Sequence, residues 1–316
     1  MALFDDLLRR MFGTEDDYDY YAALPFFIQN ETNTEGTVKF KKESLECPPS
    51  LDIYCSTDNS NWSLLGNTGT HSTGITATLP ANGRLYVRCN TDCWQKDSNC
   101  NWIIPNVECS ICGNIMSLLY GEDFAENSEL PSNATFSGLF KGMRNIKSAE
   151  HLVLPSMVLT QSCYSNMFNG CTGLEKAPKL PATRLADACY AFMFYGCTSL
   201  VKAQVTLPAT VLAPYCYYYM FHGCTSLTTA PNLPAKRLTD YCYAYMFRGC
   251  TSLIWVYAMF TTVIHGNDYP YYYTLEWMYH VGSGGTFYRN RNTIWNVRTP
   301  DGVPQGWTIH NVNFNG

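Results

Sequence analysis

The sequence predicts an α/β solenoid, with one short helix and one short strand per coil, preceded by a small all-β domain. Three observations predict it. A nearly constant phrase begins at Cys163, Cys189, Cys216 and Cys242, at spacings of 26, 27 and 26 residues. A second phrase, Leu-Pro-Ala, falls between copies at Leu180-Pro181-Ala182, Leu207-Pro208-Ala209 and Leu233-Pro234-Ala235. Upstream, from about residue 25 to residue 113, the chain changes to short apolar segments separated by turn-forming residues. A fixed period in this range implies stacked units, because one unit cannot bury its apolar face alone.

In chain order, residues 1–24 read as an amphipathic helix followed by an acidic linker. Phe4, Leu7, Leu8 and Met11 share one helical face. That face is expected either to pack on its own protein or to dock a partner. Glu15-Asp16-Asp17-Tyr18-Asp19 follows it. Acids stand where the cationic region of a secretory signal belongs, and no run approaches the roughly 20 apolar residues of a membrane helix. Neither a secretory signal nor membrane insertion is expected.

Residues 25–113 are expected to form a small β-sandwich-like domain. Thr37–Lys41, Leu51–Tyr54, Ile75–Leu79 and Leu85–Arg88 alternate as strands do, with turn signals at Asn59-Ser60-Asn61, Gly66-Asn67 and Asn82-Gly83. Seven cysteines lie here: Cys47, Cys55, Cys89, Cys93, Cys100, Cys109 and Cys112. Three readings stay open for them: free thiols, one or two disulfides, or zinc at Cys109-x-x-Cys112. The odd count leaves at least one outside any pairing within the chain.

Residues 114–262 are assigned to the solenoid and 263–316 to a C-terminal cap. A weaker copy at Phe136–Ile146 lacks both cysteines, as a terminal unit with one unpaired face should. In a typical copy, Asp187 suits an N-cap, Ala188 through Tyr195 a short helix and Gly196 its stop. Leu200–Val205 then reads as a strand ended by Pro208. On that helix Cys189, Met193 and Cys197 would line one buried stripe. The repeat cysteines are therefore read as packed thiols; eight residues of helix span about 12 Å, too far for a disulfide.

The positions that vary between copies point away from this stripe. One column is Asn166, Phe192, Tyr219, Tyr245; another is Asn169, Tyr195, His222, Arg248; Tyr218 joins them. Sixteen of the 23 tyrosines lie between residues 190 and 288, which makes this face strongly aromatic. Tyrosine offers a large contact area at low entropy cost. Phe192, Tyr195, Tyr218, Tyr219, His222, Tyr245 and Arg248 are the candidate ligand-contacting residues. On the strand side Lys176, Lys202, Thr229, Trp255 and Pro178, Gln204, Pro231, Tyr257 form columns of mixed chemistry.

A net charge of −5 is spread without a basic face: residues 1–113 carry 8 Lys/Arg against 15 Asp/Glu, and the remainder 13 against 11. Nucleic acid is not an expected partner. The histidines His71, His151, His222, His265, His280 and His310 fall in no nucleophile, metal or phosphate-loop motif. No enzymatic activity or cofactor is expected, and no metal beyond the zinc reading left open for the N-terminal cysteines.

The phrase Met193-Phe194-Tyr195-Gly196-Cys197-Thr198-Ser199-Leu200, with Leu-Pro-Ala after it, resembles the BspA-type leucine-rich repeat family. The period is longer than that family's usual one of roughly 23 residues. Gly113–Gly121 before the array, and Trp277–Val281, Gly285–Tyr288 and Gly302–Trp307 after it, are similar to companions of this repeat in gut-bacterial proteins and their tailed phages. The resemblance implies a non-enzymatic surface role in adhesion or recognition. It suggests a virion component, a tail or head appendage recognising a host surface protein or glycan. The N-terminal segment would then dock other virion proteins; a homo-oligomer is compatible with this. The alternative it implies is a bacterial cell-surface adhesin.

Overall fold

Eight strands built from the N-terminal part form two antiparallel sheets, and the repeats stack onto the edge of one of them. The computed structural model describes residues 15–42, 51–68, 74–90, 101–201, 203, 206–261, 272–293 and 301–312. The strands are β1 (Phe27–Asn30), β2 (Gly36–Lys42), β3 (Asp52–Ser56), β4 (Ser63–Asn67), β5 (Ile75–Leu79), β6 (Arg84–Arg88), β7 (Asn101–Pro105) and β8 (Cys109–Asn114). One sheet has the order β5-β2-β7; the other runs β8-β1-β6-β3-β4. Their apolar faces meet, with Val38, Phe40, Leu79 and Ile103 packing in one cluster with Ile28, Ile53, Val87 and Ile111. On β8, residues three apart fall on opposite faces. Cys109 therefore joins this core while Cys112 packs outside it with Phe27 and Tyr86, so the C-x-x-C is split between two environments. Cys55, Cys89, Cys109 and Cys112 are buried free thiols; Cys47, Cys93 and Cys100 lie outside the described residues.

The acidic stretch expected as a linker is helical: α1 spans Glu15–Ala22, with acids in its first turn, where the helix dipole favours them. Its Tyr21 stacks on His151 at 4.2 Å and packs against the Phe27 side of the large sheet. Phe4, Leu7, Leu8 and Met11 lie outside the described residues.

After β8 come α2 (Ser117–Tyr120) and a short 3-10 turn, then β9 (Ile146–Ser148) and β10 (Leu152–Val153), both parallel to β8. β11 (Trp255–Ala258), β12 (Thr286–Asn290) and β13 (Thr308–Val312) close the chain as a parallel sheet. One continuous core runs from Phe26 to Trp307.

The repeats do not form the expected α/β solenoid. Strand makes up 28% and helix 6%, and among the described residues of the copies there is no helix, the intervening extended pieces pairing as isolated bridges such as Arg184↔Val211 and Thr229↔Trp255. Each expected helix is a run of tandem turns. Within one run Ser165 N, Met167 N, Asn169 N and Cys171 N each donate to the carbonyl three residues back, at 3.0–3.3 Å. The alternate amides leave the run: Tyr164, Asn166, Phe168 and Gly170 donate to Cys189, Ala191, Met193 and Tyr195 of the next copy, at 2.8–3.0 Å. A helix needs every amide for its own carbonyl four back and φ near −60° throughout. Here every fourth residue has positive φ: Ser162, Asn166 and Gly170, then Ala188, Phe192 and Gly196, and likewise Tyr215, Tyr219 and Gly223.

This backbone buries six columns, each residue at most 1% exposed: the Cys163, Tyr164, Met167, Phe168, Cys171 and Leu174 positions and their counterparts. Tyr164, Tyr190, Tyr217 and Tyr243 stack at 5.8 Å intervals, and Phe140 through Phe247 at 5.4–5.7 Å. Trp277 ends both columns. Cys171, Cys197, Cys224 and Cys250 each donate S–H to a phenylalanine carbonyl one copy back, at 2.9–3.1 Å. Burial pushes Cys171, Cys189, Cys242 and Cys250 up to about 12, so they stay protonated thiols.

Candidate functional site

The tandem turns carry the Phe192 and Tyr195 positions on their outer side, half-buried in every copy. The stacking of copies turns them into ladders. Phe192, Tyr219 and Tyr245 stack at 5.1 and 4.3 Å. Tyr195 stacks on His222 at 4.7 Å. A third ladder, which the variable columns did not reveal, is Tyr215, Tyr241 and Tyr272 at 4.8 and 5.2 Å. Tyr218 lies between ladders and meets Phe192, Tyr215, Tyr219, Tyr241 and Tyr245 edge-on, at 81–89°. Ala191 and Ala244 hold its place in the neighbouring copies, which is why so large a ring fits.

The ends of the first ladder are polar. Asn166 accepts at Oδ1 from Asn169 Nδ2 at 2.8 Å on one side. At the other end Glu276 pairs with Arg248 at 2.7 Å, a contact aligned as an ion pair rather than as a hydrogen bond. The guanidinium also lies over Tyr245 and Tyr279, at 5.8 and 5.3 Å from the ring centres. Arg248 is thus committed within the protein and clamps the ladder's end.

Electrostatically the face is neutral and rich in hydroxyls. Burial, reinforced by the surrounding tyrosines, pushes the Tyr218 phenol up to about 12. Burial first, then the Arg248 charge, lowers the His222 pKa, so its imidazole is neutral at physiological pH. His222 Nδ1 is buried without a hydrogen-bond partner. Because the rings cover one another's faces, they present edges and hydroxyls outward. Such a surface is rigid and offers contact area with little entropy left to lose.

All seven candidate residues, Phe192, Tyr195, Tyr218, Tyr219, His222, Tyr245 and Arg248, come together on this face. Tyr215, Tyr241, Tyr272 and Glu276 belong to it too; Tyr215 and Tyr241 each directly precede a repeat cysteine and an offset count would have found them, whereas Tyr272 and Glu276 follow a 31-residue step that the period does not reach. Among the described residues no group of three or more His, Cys, Asp or Glu is placed to hold a metal ion, and no helix is long and apolar enough to cross a membrane. No family model, curated protein or solved structure matches the chain.

Proposed function

We propose that this chain is a non-enzymatic recognition protein of a phage particle, which presents its turn-side aromatic face to a protein or glycan on a host surface. The observation that carries the reading is the laddered face itself: three aromatic columns, neutral, half-buried in two of them and more exposed in the Tyr215 column, and held by the backbone bonds between copies. Contiguous exposed aromatic surface of this kind marks interaction sites. The particle setting rests on the resemblance of the repeats to the BspA-type family and of their flanking segments to companions of that repeat in gut-bacterial proteins and their tailed phages.

The test is attachment. Labelled full-length protein is incubated with host cells and compared with the Tyr219→Ala, Tyr245→Ala double variant. Loss of two aromatic contact residues should weaken attachment by about tenfold or more. Both side chains lie outside the buried columns, so circular dichroism should stay close to wild type. Unchanged attachment with an intact fold removes the turn-side face as the recognition surface.

A further inference from the structure

The turn side leaves no broad ring face open, but the opposite side of the stack does. Parallel register sets Trp255 beside Thr286, and Tyr257 beside Tyr288 and His310. These side chains alternate outward while Val256, Ala258 and Phe287 are buried. Trp255 is 46% exposed. Tyr288 stacks on the indole at 5.5 Å and 14°. Away from Tyr288 the neighbouring residue is Thr229, paired with Trp255 through a backbone bridge and too small to cover an indole. The column changes from threonine to tryptophan at this step, and a pocket of about 310 Å³ opens there, walled by Thr229, Asn232, Trp255, Tyr257 and Tyr288.

We propose that this pocket binds a neutral pyranose ring, stacked on the open face of Trp255. The electron-rich indole face attracts the weakly positive axial C–H bonds of such a ring. The volume lies at the small end of ligand sites and suits one sugar residue rather than a folded partner. Among the described residues no carboxylate, amine, guanidinium or imidazole lines it, so a uronate or sialate finds no counter-charge there. Thr229 and Asn232 put a hydroxyl and a carboxamide on the wall, the groups that orient sugar hydroxyls; Asn232 Nδ2 makes a long 3.4 Å contact to Thr206. An added peptide strand is excluded, since β11 is bonded to β12 on one side and to the Thr229 copy on the other.

The pocket shares no residue with the turn-side face, so the two readings fail separately. The experiment is saturation-transfer NMR on the full chain, with the methyl glycosides of glucose, galactose, mannose and N-acetylglucosamine, and with glucuronate for comparison. At least one neutral glycoside should receive saturation, concentrated on its axial ring protons. Trp255→Ala should reduce the effect by about tenfold, as loss of a central aromatic contact does. Thr229→Trp, which extends the aromatic column across the open indole face, should do the same while leaving Trp255 in place. Tyr219→Ala should not change it. The proposal is overturned if no neutral glycoside responds, if glucuronate responds more strongly, or if the signal survives Thr229→Trp. The last variant decides alone should Trp255→Ala not fold.

Discussion

Replacing Ala188 by glycine distinguishes tandem turns from a helix by the sign of its effect. In a helix interior glycine is less stable than alanine by about 0.5–1 kcal/mol. Ala188 instead has φ +53°. An L residue in that region carries a cost of about 1–2 kcal/mol that glycine does not. Against this gain stand glycine's extra freedom in the unfolded chain, about 0.5–1 kcal/mol, and part of one methyl's burial, a few tenths of a kcal/mol. The net expectation is a stabilisation of about 0.5 kcal/mol, where a helix beginning at Ala188 predicts a loss of up to about that size. Ala134, at φ +54° two copies away, supplies an independent second site. The two are far enough apart to add, giving about 1 kcal/mol for the double variant. Guanidinium denaturation read by far-ultraviolet circular dichroism measures it. A midpoint lowered in both single variants would refute the tandem-turn account of these runs.

Two further predictions concern the packed interior. Cys171, Cys189, Cys242 and Cys250 titrate near 12 when folded against 9.0 in the unfolded chain. Their folded pKa values are raised, so the stability they contribute is complete below pH 9 and is lost as pH rises towards 12. At pH 10 each thiol forfeits on the order of 1 kcal/mol, so the midpoint should fall between about pH 9 and pH 10.5; a flat profile there contradicts the buried-thiol account. Gly173 stands where the other copies have Ser199, Ser226 and Ser252, so Gly173→Ser restores the repeat's own consensus. A Cβ there would lie 2.1 Å from the Arg144 carbonyl oxygen, and the substitution should destabilise by about 1–3 kcal/mol in the same denaturation assay.

The period, the burial of Cys189, Met193 and Cys197 and the outward set of the Phe192 and Tyr195 positions were legible in the sequence, whereas the backbone was not. Tandem turns repeat every four residues, so they put i and i+4 on one side much as a helix does. A stripe read from such spacing is correct about burial under either conformation. What separates the two is the position of left-handed residues. The first copy shows the pattern openly, with Asn166 and Gly170 four apart, the two residue types that take positive φ most readily. Later copies keep the glycine, at Gly196 and Gly223, but hide the rest by placing Ala188 and Phe192, then Tyr215 and Tyr219, where the first copy has Ser162 and Asn166. The missing third ladder has a similar origin. Tyr215 and Tyr241 each precede a repeat cysteine by one position, but the copy before them has Ala188 there, and Tyr272 follows a step of 31 residues rather than 26 or 27.

Bulky aromatics at φ +55 to +58° are unfavourable locally, yet Phe192, Tyr219 and Tyr245 occupy that position in three successive copies and lie ring on ring. The backbone orientation that costs energy is also the one that turns these side chains outward and into mutual contact. Strain and stacking are therefore coupled. An isolated aromatic at Tyr219 would retain the strain without the 5.1 and 4.3 Å neighbours that offset it. Asparagine, which tolerates the conformation by itself, stands in the first copy, where Phe192 neighbours it on one side only. The ladder begins where a ring can be stacked and ends at Glu276, where an ion pair takes over the holding role. Its extent is set by what each copy's neighbours can compensate, which makes it a property of the assembled stack and not of any single repeat.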